Sequence, residues 1–445
     1  METNEKQPVD LPENAFRELK PGEEYKPILS PEKVYPEVNA WSVSWGIVMA
    51  VIFSAAAAFL GLKVGQVFEA AIPIAIIAVG LSGAAKRKNA LGENVIIQSI
   101  GACSGVIVAG AIFTLPALYI LQAKYPELTV NFMEVFMSSL LGGILGILFL
   151  IPFRKYFVSD MHGKYPFPEA TATTQVLVSG EKAGNQAKPL ILAGLVGGLY
   201  DFCLSTFGWW SEVLTTRILP WGTEIANQAK MVFKVNTGAA VLGLGYIVGL
   251  KYAAIICAGS FTVWFVLIPF LSYFADGQTV AVGEGVSMLI RDMSPEQLFT
   301  NYARHIGIGG IAMAGIVGII RSSGIIKQAL GLAVKELGGK KGSEEVAERT
   351  QHDLSMKFIL IGLLATLITT FIFFQFGVLG NLFQTIVAIL IVFIISFLFT
   401  TVAANAIAIV GTNPVSGMTL MTLILASLVL VSAGLSGTNG MMAAM

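Results

Sequence analysis

The run FMEVFMSSLLGGILGILFLIPF, residues 132–153, is 22 residues long and carries almost no charge. A helix needs about 20 apolar residues to cross a ~30 Å hydrocarbon core, so this run reads as a membrane span. Runs at 41–62 and 358–376 read the same way, and little soluble sequence separates them. Hydrophobic residues make up 55% of the chain and charged residues 13%, which fits an all-α, polytopic transmembrane bundle. The expected spans are 41–62, 66–85, 93–121, 132–153, 188–208, 236–250, 252–274, 304–320, 356–376, 384–410 and 414–434.

The 445-residue chain has a formal net charge of zero, which suggests neither nucleic acid nor an acidic partner. Cys103, Cys203 and Cys257 fall inside apolar runs and read as small hydrophobes, with no disulfide framework or CxxC pair. Residues 1–40 lack a short apolar core with a small-residue cleavage site, so they read as a soluble, partly disordered tail. Lys6, Arg17, Lys20, Lys26 and Lys33 lie in that tail; Lys86, Arg87 and Lys88 follow the second span, and Arg154, Lys155, Lys164, Lys182 and Lys188 follow the fourth. The intervening loops are poor in Lys and Arg, which predicts a cytoplasmic N-terminus. Two crossings within 236–274, broken near 249–252, would keep the basic stretch 321–357 on that side too. Within that stretch, 328–337 could form a short amphipathic helix.

Spacings such as Gly61/Gly65, Gly101/Gly105, Gly142/Gly146, Gly194/Gly198 and Gly245/Gly249 predict close helix contacts, within this chain or in a homo-oligomer. Asn89-Ala-Leu-Gly-Glu-Asn resembles Asn413-Pro-Val-Ser-Gly-Met, and the same offset carries 41–121 onto 365–445. On that reading the domains are a tail (1–40), a first repeat (41–321), a cytoplasmic loop (322–354) and the start of a second repeat (355–445). The chain then reads as shortened, ending three helices into the second copy.

Tyr165-Pro-Phe-Pro-Glu-Ala-Thr-Ala-Thr-Thr is the sharpest local feature. Its prolines hold the approach extended, and Pro168 suits the first turn of a helix with Glu169 near its positive end. That helix should end at Ser179-Gly180, too short to span. It either dips into the bundle, aiming free N–H groups at a ligand, or lies on the cytoplasmic surface. The second feature, 403–419, breaks two apolar runs. It is either an unwound segment that binds cargo through Asn405, Asn413 and Ser416, or a tight turn with Asn413 as cap. Tyr165, Glu169 and Thr173 complete the candidate binding set.

Ionisable groups within spans are costly, so Asp201, Glu69 and Glu93 are functional candidates, with Asp201 the first choice for proton coupling and Glu69 the second. Their plain alternatives are a bond to a neighbouring helix for Asp201 and end caps near water for the glutamates. Arg304-His305 reads as the start of a helix at the membrane edge, and Trp209, Trp210 and Trp221 as interfacial residues. No GxxxxGK[ST], HExxH or GxSxG motif occurs, which argues against nucleotide hydrolysis and against protease or esterase chemistry. Three cysteines and three histidines, none paired at ligand spacing, argue against a bare metal ion. No cofactor is expected.

Taken in order, Tyr25-Lys-Pro, Gly61-Leu-Lys-Val-Gly-Gln, Lys164-Tyr-Pro-Phe-Pro-Glu-Ala-Thr-Ala-Thr, Leu242-Gly-Leu-Gly-Tyr-Ile-Val-Gly-Leu, Trp264-Phe-Val-Leu-Ile-Pro and Gly411-Thr-Asn-Pro-Val-Ser-Gly-Met-Thr resemble the oligopeptide transporter (OPT) family, in its prokaryotic branch. The resemblance runs from about residue 25 to the end and is related to the yellow-stripe-like metal-chelate transporters. It implies a sixteen-helix, two-repeat, proton-driven symporter of peptides, here eight helices plus three, in a bacterial inner membrane. NPG-like and KIPPR-like signatures of the family are not evident. Uptake of metal–siderophore or metal–chelate complexes is the alternative, with a passive channel or a membrane-embedded enzyme behind it.

Overall fold

The computed structural model describes residues 11–64, 70–182, 187–248, 250–275, 287–307, 349–411 and 415–437, with a few isolated positions between 277 and 320 and at 440. Helices α1 (Ala40–Val64), α2 (Ala71–Ala84), α3 (Leu91–Lys124), α4 (Phe132–Leu150), α5 (Pro168–Lys182) and α6 (Ala187–Phe202) come first. A two-stranded antiparallel ribbon, β1 (Val213–Thr215) with β2 (Lys234–Asn236), encloses α7 (Pro220–Gln228). Then follow α8 (Ala239–Val248), α9 (Leu250–Phe261), α10 (Ile268–Phe274), α11 (Pro295–Leu298), α12 (Met356–Phe373), α13 (Leu382–Val410) and α14 (Val415–Ser432). Among the described residues six helical stretches are long and apolar enough to cross a membrane, and the chain is an all-α polytopic membrane protein.

Those six match the expected spans at 41–62, 93–121, 132–153, 252–274, 356–376 and 384–410. Shorter apolar helices, Ala71–Ala84, Leu192–Phe207 and Met421–Ser432, fall within the expected spans at 66–85, 188–208 and 414–434. Of the expected crossing at 236–250, residues 234–236 pair in β2 and Ala239–Val248 form α8. Residues 250–252 are helical, so any break there falls on residue 249, outside the described residues. Most of 304–320 and all of 328–337 also lie outside them. Arg304 and His305 do not open a helix: a helical run begins at Pro295, capped by Ser294 and Gln297, and passes through a π-helical turn at Phe299–Ala303.

The chain forms two compact units. The first joins Met1–Ala187 with Ala314–Met445. In it α1 lies along α3, α2 packs on α3 and α5, α4 packs on α12 and α13, and α14 packs on α13 and α3. Ile74, Ala78 and Ile97 are fully buried where α1, α2 and α3 meet. A Cβ at Gly46 would lie 2.8 Å from Ile100, and one at Gly101 2.9 Å from Ile74, so these glycines set the helix spacing. By contrast, a Cβ at Gly142, Gly146, Gly194 or Gly198 meets nothing within 4 Å, and the close contacts expected there are not made among the described residues. Outward-facing apolar side chains are abundant, with Phe376 83% and Ile120 69% exposed, as lipid-facing helices require.

Residues 11–39 depart from the expected loose tail, because polar anchors fix them to one end of this unit. The imidazole Nε2 of His162 lies 2.8 Å from the Asn14 carbonyl, and the Tyr25 ring is 5.0 Å from that imidazole. A Cβ at Gly163, whose φ is +72°, would meet the Arg17 carbonyl carbon at 2.1 Å. Arg349 donates to the carbonyls of Pro31 and Lys33 and to Glu37. At the same end Arg87 grips the Glu93 carboxylate through two bonds of 2.6 and 2.5 Å, and Asn39 donates to it at 2.5 Å. Glu93 is 1% exposed, so it is a buried anchor and not an end cap near water.

The second unit, Lys188–Met313, has its own core of Ile268, Ile290, Met293, Leu298 and Ala303. Glu296 pairs with Arg217 (2.7 Å) and Lys234 (2.8 Å), which ties α11 to the ribbon. Burial works against the Glu296 carboxylate, but these two cations outweigh it and hold its pKa below the usual range. Trp209 and Trp221 are exposed, as interfacial residues would be.

Candidate functional site

The two sequence features meet in space. Pro166 and Pro168 force the backbone between them out of the helical region, and Phe167 sits at φ +39°, a strained value for an aromatic residue. That conformation aims the Phe167 N–H at the Ala408 carbonyl, 3.0 Å away in the last turn of α13. Pro168 then opens α5, where its missing N–H costs nothing, and Thr171 N–H closes the first turn on the Phe167 carbonyl at 2.8 Å. On the other side α13 ends at Gly411, φ +86°, whose N–H bonds to the Ile407 carbonyl. A Cβ there would lie 2.8 Å from Pro168 Cγ and 3.3 Å from Glu169 N, so only glycine lets the two ends touch.

Around this junction lies a cavity of about 360 Å³. Glu169, Thr173 and Thr174 of α5 line it with Gln98 of α3, and Ile407 and Gly411 of α13. Tyr25, Ile28 and Leu29 of the tail close another side. Thr173 is 3% exposed and donates its hydroxyl to the Glu169 carbonyl at 2.8 Å, which leaves its oxygen as an acceptor. Tyr165 stands beside the cavity among Phe157, Phe167 and Ala408. Burial, with Tyr156 beside it, pushes the Tyr165 phenol above its ordinary pKa and keeps it a neutral donor.

Asn405 lies one turn before Ala408, and its buried Oδ1 has no hydrogen-bond partner among the described residues. Asn413 and Glu69 lie outside the described residues, as does the Ser416 side chain. Asp201 belongs to the second unit. Its Oδ1 accepts the Ala239 N–H at 2.7 Å, so the carboxylate caps the N-terminus of α8. Among the described residues no three His, Cys, Asp or Glu side chains come together as metal ligands.

Sequence reasoning missed the tail's share in the cavity, although the Tyr25-Lys-Pro motif was a signal for it. It also missed a second cavity, of about 550 Å³, among α3, α4, α12, α13 and α14. Its signal lies in hydroxyl residues set into apolar runs, such as Ser138-Ser139 and Ser396.

The model of the family described as "OPT oligopeptide transporter protein" matches residues 37–445. A Haemophilus influenzae protein named "Putative oligopeptide transporter" is 28% identical over 390 residues, which are 84% of this chain and 58% of that protein. The chain therefore spans rather more than half the length of that relative. No solved structure matches. Because the family match takes in both motifs that meet at Phe167 and Ala408, as well as the helices that carry them, the chain belongs to the OPT oligopeptide transporter family.

Proposed function

We propose that this chain acts in secondary active transport of oligopeptides across a bacterial inner membrane, driven by protons. The observation that carries the reading is the Phe167–Ala408 junction, where the start of the short helix α5 meets the end of α13 beside a polar-edged cavity in the first unit. Broken and partial helices supply cargo sites in transporters because their ends offer backbone groups that a continuous helix keeps for itself. Glu169, Thr173, Tyr165 and Asn405, with Asn413 and Ser416, form the cargo-facing set. Asp201 is the coupling carboxylate, with Glu69 as the second candidate.

Orientation follows from charge. Arg17, Lys26 and Lys33 of the tail, Arg87, Arg154, Lys164 and Arg349 gather at the end of the first unit that holds the cavity. Lys124 stands at the opposite end of α3. The positive-inside rule makes the basic end cytoplasmic, and the cavity with it.

The test is uptake into proteoliposomes of a tri- to hexapeptide pool and of an iron–siderophore complex, with and without an inward proton gradient. Gradient-dependent peptide accumulation is the expected result. Accumulation of the siderophore alone would move the cargo to metal chelates. Flux without coupling or counterflow would make the protein a channel, and chemical conversion of the peptides would make it an enzyme.

A further inference from the structure

We infer that the second cavity is a cargo chamber that receives the ammonium end of a peptide, with Glu134 as the carboxylate that binds it. This inference rests on the peptide-transport reading and adds a site that reading does not contain. The cavity, about 550 Å³, is of the size that encloses small-molecule ligands.

Hydroxyls in apolar helices normally bond back to a carbonyl one turn earlier. Thr114, Ser138, Thr370 and Thr422 do so, at 3.0, 2.8, 2.8 and 2.9 Å. The hydroxyls of Ser139, Ser396 and Thr419, on three different helices, line the cavity and have no such partner among the described residues. The Glu134 carboxylate, in the first turn of α4, also lines it and has none there. None of the four is fully buried: Ser139 is exposed and Glu134, Ser396 and Thr419 are half-buried, so each keeps hydrogen-bonding capacity for water or a polar occupant. A lone carboxylate among neutral hydroxyls selects a cation with further hydrogen-bonding groups, which describes a peptide's amino end.

The chamber's place in the fold agrees. Both cavities share α3 and α13. Gln98 and Ile407 border the first, while Thr114 and Ser396 border the second. Ser396 and Ile407 stand about 16 Å apart along the helix. Phe153, in the turn that follows α4, and Phe397 of α13 lie 6.2 Å apart beyond the chamber. The chamber's far wall includes Phe374 and Val378 in a π-helical turn at Phe374–Leu379, a distortion that recurs at functional sites. With the basic end cytoplasmic, Glu134 lies at the outer end, where cargo arrives.

The test is equilibrium binding of trialanine and of N-acetyl-trialanine to the full chain in lipid nanodiscs. Wild type should prefer the free amine by about tenfold or more, and Glu134→Gln should lose that preference while still binding the acetylated peptide. Independently, Ser139→Cys in a background lacking Cys103, Cys203 and Cys257 should react with a water-soluble thiol reagent and be protected by trialanine. A preference retained in Glu134→Gln, or thiol labelling that trialanine leaves unchanged, overturns the chamber while peptide transport stands. Binding of neither peptide by wild type overturns both readings.

Discussion

The Phe167 amide donates to the Ala408 carbonyl at 3.0 Å, which ties the start of α5 to the last turn of α13. The last carbonyls of a helix have no partner within it, and one buried without a partner would cost about 1–3 kcal/mol. A strained φ at Phe167 is the local cost of supplying that partner. The bond joins the end of α13 to the first turn of α5, which carries Glu169 and Thr173 beside the cavity they line.

Gly411→Ala should break this linkage. The added methyl meets Pro168 and Glu169 while the backbone sits at φ +86°, so a loss of about 1–3 kcal/mol in stability is expected. Thermal unfolding in detergent reads the loss, and peptide uptake should fall with it. Gly80→Ala is the control, since a Cβ there meets nothing within 4 Å. Equal behaviour of the two variants would show that the junction does not require glycine.

Hydropathy alone made the long helices legible, because each needs only length and apolar composition. The helix at Pro168 was legible from its prolines, and its partner was not. Nothing local in Ala403–Val410 says that the Ala408 carbonyl will meet an amide far away in the chain. The ribbon β1–β2 escaped for a similar reason: three-residue strands leave almost no periodic signal and are fixed by pairing, as Leu214 with Val235. Glu93 was legible as an ionisable residue at a helix start, but its burial depends on Arg87 and Asn39 folding over it.

Glu93 and Arg87 should behave as a half-buried pair. Arg87→Ala would leave a carboxylate at 1% exposure held by Asn39 alone, but Arg87 is itself 36% exposed, so the loss should fall short of the roughly 3–5 kcal/mol of a fully buried pair. Glu93→Gln keeps hydrogen-bonding capacity without the buried charge and should lose less. Denaturation midpoints of both single variants and the double variant give the coupling. Additive losses would mean that the pair contributes nothing as a pair.

The tail supplies a pH dependence. Arg17 binds both Glu23 oxygens at 2.8 Å, and that hydrogen bonding holds the Glu23 carboxyl at about 2, below the ordinary 4.5. A depressed folded pKa stabilises above the unfolded value, so the contribution is complete above about pH 4.5 and fades as pH falls toward 2. Both side chains are partly exposed, which makes the effect small. Hydrogen exchange of residues 14–24 at pH 6 and pH 3, corrected for intrinsic rates, should show the tail less protected at pH 3. In Glu23→Gln the two values should agree. An unchanged pH dependence in that variant would remove Glu23 as its source.

Asp201 separates a cap from a proton carrier. Its carboxylate accepts from the Ala239 N–H at the positive end of α8, an interaction the anion makes better than the acid. Asp201→Ala should cost about 0.5–2 kcal/mol through the lost cap. Asp201→Asn keeps an acceptor and should hold stability nearly constant, but it cannot titrate. The expected result for Asp201→Asn is therefore peptide exchange without gradient-driven accumulation, at a melting temperature close to wild type. Uphill uptake that survives Asp201→Asn would leave Asp201 a helix cap alone and pass the coupling role to Glu69.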